Sequence, residues 1–204
     1  MKTLQTLFLH ELSDMYDAEK QIVHVLPKLA EAATCEKLKK ALHSNLKESE
    51  VHIRRLDHVF ESVAAKPHGR TCEVASGLVK EAHELISHFH GSPILNAALV
   101  NMVQKIEHYE IASYGGLHEW ANILGNKKGA GILAEILAEE KASNEFLITL
   151  ARSTCNPEAL AHSEKTASST IAAEAKHNPA AHTTKSSTVP PVSAAPHVAA
   201  TAAR

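Results

Sequence analysis

Met102-Val103-Gln104-Lys105-Ile106-Glu107-His108-Tyr109-Glu110-Ile111-Ala112-Ser113, residues 102–113, combines the apolar pattern of a core helix with two acids. Its apolar side chains recur at intervals of three and four, the period of an amphipathic helix. Glu110 falls in the same stripe as Val103, Ile106 and Ser113, where a core residue belongs. Desolvating a carboxylate there costs several kcal/mol unless something compensates it. Extended in both directions, the stripe predicts a helix over residues 94–124, weakened locally at Gly115-Gly116 by about 1 kcal/mol per glycine relative to alanine.

Three more long helices follow from the same period. The first is predicted over residues 3–33, on Leu4, Phe8, Leu12, Met15, Ile22, Leu26 and Leu29, with Thr3 as N-cap and a kink at Pro27. The second covers residues 36–64, on Leu38, Leu42, Leu46, Ile53, Leu56 and Phe60. The last covers residues 127–152, on Leu133, Ile136, Leu137, Leu147 and Ile148, after a turn at Gly125-Asn126. The three-residue connection Ala33-Thr34-Cys35 makes the first two an antiparallel hairpin. Between the second and third long helices, Lys66-Pro67-His68-Gly69-Arg70 breaks the pattern and a shorter amphipathic segment runs from Cys72 to His90. A helix of about 30 residues is about 45 Å long. The connection is long enough to cross that distance, so the second and third long helices are expected to run parallel, as in ferritin-like bundles. The fold class is all-α: a ferritin-like four-helix bundle with a long crossover carrying a short helix.

Each long helix brings an acid to mid-length. Glu19 lies with Met15, Ile22 and Leu26, Glu110 with Ile106, and Glu140 with Ile136 and Leu137; Glu48 and His52 lie one turn apart on one flank of the second helix. Glu107 is a further candidate one turn before Glu110. Carboxylates converging at one level repel one another, and a pair of bound cations removes the repulsion. Carboxylates with a few imidazoles suit iron or manganese, whereas zinc favours more His or Cys. The blander reading of each acid is a solvated face, and of His52 a satisfied core histidine. Glu139 is read as solvated. Asn144 stands one turn after Glu140 and is expected to give a hydrogen bond. Tyr16, Tyr109 and Tyr114 are the only tyrosines, read either as core packing or as hydrogen-bond donors to the ligating carboxylates.

Composition bounds the rest. The 204 residues carry a formal charge of -2, with 21 basic and 23 acidic side chains, which argues against a nucleic-acid surface. No apolar run approaches the roughly 20 residues of a membrane span, and the N-terminus lacks the apolar core of a signal peptide. A cytoplasmic location is expected. Cys35, Cys72 and Cys155 have no metal-type spacing and are expected as free surface thiols. Residues 1–152 are expected to form the bundle. Residues 153–204, rich in Ala, Ser, Thr, Pro and His, are expected to be a disordered tail.

Several motifs occur in a recognisable order. Leu7-Phe8-Leu9-His10-Glu11-Leu12-Ser13-Asp14-Met15-Tyr16-Asp17-Ala18-Glu19 resembles the opening of the YciE/YciF family of bacterial ferritin-like stress proteins. Arg55-Leu56-Asp57-His58-Val59-Phe60, Lys66-Pro67 with Thr71-Cys72-Glu73, Lys105 to Gly115, and Glu139-Glu140-Lys141-Ala142 are similar to later motifs of that family. The resemblance covers residues 1–152. It implies a ferritin-like bundle, a homodimer, a link to stress and a di-iron centre with ferroxidase activity. Two departures stand against the ferritin pattern: Glu48-x-x-x-His52 is one residue longer than Glu-x-x-His, and Asn144 stands where a second His is expected. The expected metal ligands are Glu19, Glu48, His52, Glu107, Glu110 and Glu140, with Glu19 and Glu110 bridging two iron ions and oxygen or peroxide taking the electrons. The alternative is a non-enzymatic helical protein whose carboxylates are hydrogen-bonded or protonated and whose surface meets a partner.

Overall fold

The computed structural model describes residues 2–67 and 70–177, with side chains described to 169. Two compact units divide the chain, Met1–Thr166 and Ala167–Arg204. In the first, α1 (Leu4–Ala32), α2 (Glu36–Ser62), α3 (Glu73–Phe89), α4 (Ile94–Ile123) and α5 (Lys127–Leu150) form an all-α bundle. Thr3 caps α1 as expected: its hydroxyl accepts from the Thr6 amide at 3.2 Å, and the Thr6 hydroxyl returns a bond to Thr3. Pro27 sits inside α1 without ending it. At the end of α4 the chain turns through Gly125 at φ +75, a left-handed conformation that glycine adopts at little cost, and the Asn126 side chain caps α5 through the Gly129 amide at 3.0 Å.

Three interhelical bonds fix the helix directions. The Asn96 side chain, at the start of α4, accepts from the Thr34 amide after α1 at 2.9 Å. Asn126, at the start of α5, donates to Ser62 at the end of α2 at 2.8 Å. Gln21 in α1 donates to the Cys72 carbonyl that opens α3 at 3.2 Å. Adjacent pairs α1/α2, α1/α4, α2/α5 and α4/α5 are therefore antiparallel, and α2 and α4 are parallel across the diagonal. Helix α3 covers α1 and α4 and carries the crossover.

The apolar core is divided in two. One cluster contains Ile22, Leu26, Leu42, Leu99, Val103 and Leu147. The other contains Phe8, Leu12, Leu56, Tyr114, Leu117, Leu133 and Ile136. Fully burying one such side chain is worth about 1.5–3 kcal/mol. On every long helix the boundary between the clusters falls at an acid or at His52.

Two expectations are corrected. Cys72 and Cys155 are buried rather than on the surface. Cys72 caps α3, and burial pushes its thiol pKa up; Cys155 is pushed up to about 12 by burial and by the neighbouring Cys35. Helical structure also continues past residue 152, where the tail was expected to begin. A π-helical turn at Ala151–Cys155 leads into α6 (Asn156–His177). Ala159, Leu160, Ala161, Glu164 and Lys165 have high helix propensity; Ala159 and His162 are half-buried, whereas Leu160 is 61% exposed. Residues 178–204, the remainder of the expected tail, lie outside the described residues.

Candidate metal centre

Between the two apolar clusters lies a polar layer. Glu19 is 0% exposed, His52 1%, Glu107 and Glu110 2%, and Glu140 5%. Each occupies an inward position because the helical period that buries Ile22, Leu56, Ile106 and Ile136 buries it too. They fall into two groups: Glu19, His52 and Glu140, and Glu107, Glu110 and Glu140. Within each group, one donor atom from each residue lies within 4.8 Å of the others. Glu140 is common to both.

The first group has imidazole and outer support. Tyr114 donates its hydroxyl proton to Glu19 Oε1. His52 Nδ1 lies 3.3 Å from Glu19 Oε1 and 3.0 Å from Glu140 Oε1, yet neither contact has the direction of a hydrogen bond. On the other side of the ring, Nε2 lies 2.9 Å from Glu139 Oε2, and Arg55 donates to both oxygens of Glu139 at 2.9 and 2.8 Å. In the second group Glu107 Oε1 accepts from Asn45 at 2.6 Å and from Ser143 at 2.8 Å. Glu107 Oε2, Glu110 Oε1, Glu19 Oε2 and Asn144 Oδ1 are buried without a hydrogen-bond partner.

The electrostatics follow from this geometry. Burial raises the Glu19 pKa, and the His52 cation partly opposes the rise. Burial drives Glu110 well above the ordinary carboxylate value, and the charges of Glu140, Glu19 and Glu107 add to it. Glu107 is pushed up to about 10 by burial and by Glu140, against the Ser143 hydrogen bond. Burial alone would lower His52, but Glu140 and Glu19 outweigh it and hold the imidazole up to about 10. Burial also raises Glu139, but its bonds to Arg55 and His52 prevail and lower it. Burial and mutual repulsion thus favour the protonated forms of Glu107 and Glu110, and the carboxylates beside it favour His52 as imidazolium.

Some expected residues lie elsewhere. Glu48 belongs to neither group; it is half-buried and accepts from Ser44 at 3.1 Å. His52 pairs with Glu19, Glu139 and Glu140 rather than with Glu48. Glu140 is shared between the groups, where Glu19 and Glu110 were expected to bridge. Of the tyrosines, only Tyr114 meets a carboxylate of the layer. Tyr16 packs edge-on against Phe60 at 5.7 Å between ring centroids, and the Tyr109 hydroxyl meets Cys72 Sγ at 3.1 Å and Asp14 at 3.3 Å. Glu139, read as solvated, supports His52. Asn45 and Ser143 were missed, although Asn45 stands seven residues before His52 on one face of α2 and Ser143 one turn after Glu140.

The donor set fits a pair of divalent cations. Four carboxylates and one imidazole converge, with unpartnered oxygens on three of them, and a second-layer carboxylate orients the imidazole, as metal-ligating histidines require. The set is oxygen-rich, as iron and manganese prefer. The internal cavity beside Glu107, Glu110 and Glu140 measures about 10 Å³, room for the centre of one water or ion but not for an organic substrate.

Comparisons with known proteins place this architecture. The family described as a domain of unknown function (DUF892) matches residues 3–160. Protein YciF of Escherichia coli (strain K12) is 44% identical over 160 residues, covering 78% of this chain and 96% of that protein. The crystal structure of the E. coli stress protein YciF superposes with a TM-score of 0.74 over 76% of this chain and 99% of that one. YcfI of Rhodopseudomonas palustris, 44% identical, gives a TM-score of 0.71 over 72% and 94% of the two chains. A protein of Xanthomonas campestris pv. campestris, 21% identical, shares the fold at a TM-score of 0.63 over 80% of this chain and 99% of that one. The chain belongs to the YciE/YciF family, the family of the DUF892 domain.

Proposed function

We propose that this is a ferritin-like stress-response protein whose polar layer holds two iron ions and oxidises ferrous iron with oxygen or peroxide. The observation that supports it most is the pair of buried groups joined at Glu140, with carboxylate oxygens left unpartnered in each. Glu19, His52 and Glu140 hold one ion, and Glu107, Glu110 and Glu140 the other. Bound iron supplies one electron per ion to the acceptor, so two ferrous ions and two protons convert one peroxide to two waters.

The protein's own groups make that exchange workable. His52 gives up the proton on Nδ1 to become a ligand and keeps Nε2–H directed at Glu139, which fixes the tautomer and the ring plane. Glu107 and Glu110 release protons as they bind. Asn45 and Ser143 hold Glu107 Oε1 in place. The apolar clusters on either side exclude bulk water, which strengthens each ionic contact. The stress role described for YciF extends to this chain on the same reading, through removal of the ferrous iron and peroxide that together generate hydroxyl radical.

A second reading has an observation in its favour. Hydrogen bonds within the protein satisfy part of the layer, through Tyr114 on Glu19, His52 Nε2 with Glu139, and Asn45 and Ser143 on Glu107. A helical protein with no functional metal would keep these contacts. Ferrous ion added to aerobic protein separates the two. The metal-centre reading expects iron oxidation well above the buffer rate, with oxygen or peroxide consumed in step and the excess rate lost in Glu19→Ala/Glu110→Ala. Oxidation at the buffer rate would leave the second reading standing.

A further inference from the structure

The two groups of ligands leave Glu48 unused, and its position is specific. On the face between α2 and α5 a groove of about 490 Å³ is lined by Lys40, Ser44, Asn45, Glu48, Ser143 and Phe146, among others. Asn45 and Glu48 also line the internal cavity that Glu107, Glu110 and Glu140 border. Glu48 borders a third depression as well, beside Ser44, Arg55 and Glu139. Glu48 therefore lines both the outer groove and the inner cavity.

Burial increases in steps along this line. Ser44 is exposed, Asn45, Glu48 and Ser143 are half-buried, and Glu107 and Glu110 are buried. Asn45 and Ser143 are also the residues that hold Glu107 Oε1, while Glu107 Oε2 has no partner. A cation leaving water for a low-dielectric interior needs a negative charge at the threshold. It must also be released from there, which a single half-exposed carboxylate allows and a closed ligand set does not. Of the lysines that line these depressions, Lys40 lies eight residues before Glu48, about 12 Å along the helix axis, and Lys37 is farther still; Lys47, beside Glu48, is exposed to water, which screens its charge. Arg55 is already engaged by Glu139.

Building on the metal-centre reading above, we infer that divalent cations enter the buried layer through the α2/α5 face, captured first by Glu48 and passed to Glu107 as the 3.2 Å hydrogen bond from Ser143 to Asn45 opens. Glu48 is then a transit residue, which sets the rate of loading and not the final content.

The test uses the full chain, stripped of metal, and cobaltous ion, whose d–d absorption reports binding without redox chemistry. Loading is followed by stopped flow and the end-point by elemental analysis. Glu48→Gln removes the charge at the threshold, and Ser44→Phe obstructs it from an exposed position. Both are expected to load about tenfold more slowly or worse, with the end-point unchanged. Glu50→Gln, an exposed acid on the same helix, is expected to load at the wild-type rate. Wild-type rates in Glu48→Gln and Ser44→Phe would overturn the route, as would equal slowing by Glu50→Gln. A lower end-point in Glu48→Gln would make Glu48 a ligand instead. A wild-type protein that takes up no cobalt would overturn the metal centre and the route together, an outcome distinct from the others.

Discussion

The two groups that share Glu140 solve the same problem differently. Around Glu19 an imidazolium lies between two carboxylates, Tyr114 donates to Glu19, and Glu139 with Arg55 balances the far side of the ring. Charge there is compensated by charge. Around Glu107 and Glu110 only carboxylates converge, and their support comes from neutral donors, Asn45 and Ser143. That half becomes neutral by keeping protons or by binding a cation. A buried acid cluster with an internal counter-ion can serve structure alone, whereas one without depends on what it binds.

The largest expected effect is a difference of sign. His52→Leu removes the internal counter-ion and is expected to destabilise the metal-free protein by about 3–5 kcal/mol, the cost of breaking a buried pair. Glu110→Leu removes a carboxyl with an unpartnered oxygen and is expected to be neutral or to stabilise by up to about 1–3 kcal/mol, the cost of leaving that group buried and unsatisfied. Denaturant unfolding of the metal-free variants reads both, and destabilisation of similar size by the two would erase the distinction between the groups.

The pH dependence is next in size. Glu107 rises from an ordinary value of 4.5 to about 10, and His52 from 6.5 to about 10. Both hold protons more tightly in the folded state, so their contribution is complete below the unfolded values and is lost as pH climbs towards 10. Metal-free protein is expected to melt at a lower temperature at pH 9 than at pH 6. With manganous ion bound the slope should flatten or reverse, since the cation replaces those protons. Glu107→Gln should reduce the metal-free slope; a slope unaffected by that variant would place the titration elsewhere.

The smallest effect concerns orientation. Ser143→Ala removes one donor to Glu107 and is expected to weaken the second ion about ten- to a hundredfold while leaving the first unchanged. Calorimetric titration resolves the two affinities, and equal weakening of both would mean that the groups do not act separately.

Much of this was legible in the sequence because one period governs it. Spacings of three and four located all four long helices, and the length of the crossover implied that α2 and α4 run parallel. Glu19, Glu110 and Glu140 stood out as acids in apolar stripes, and His52 by its apolar flank. What periodicity does not carry is the pairing between helices. Glu139 lies about 100° around α5 from Glu140, so on its own helix it reads as solvated; only the approach of α2 gives it His52 and Arg55. Glu48 has the same register as an inward residue, yet it stops at the threshold. Tyr109 read either as core packing or as a donor to the acids, but the start of α3 brings Cys72 to its hydroxyl, and nothing in the pattern of α3 specifies where the crossover docks.

On the metal-centre reading, Glu140 joins two cation sites. The decisive measurement adds ferrous ion anaerobically to metal-free wild-type protein and to Glu140→Ala, followed by desalting and elemental analysis. About two irons per wild-type chain, as in a dinuclear carboxylate site, and none retained by Glu140→Ala is the predicted result. Equal iron in the two proteins, or none in the wild type, would contradict it.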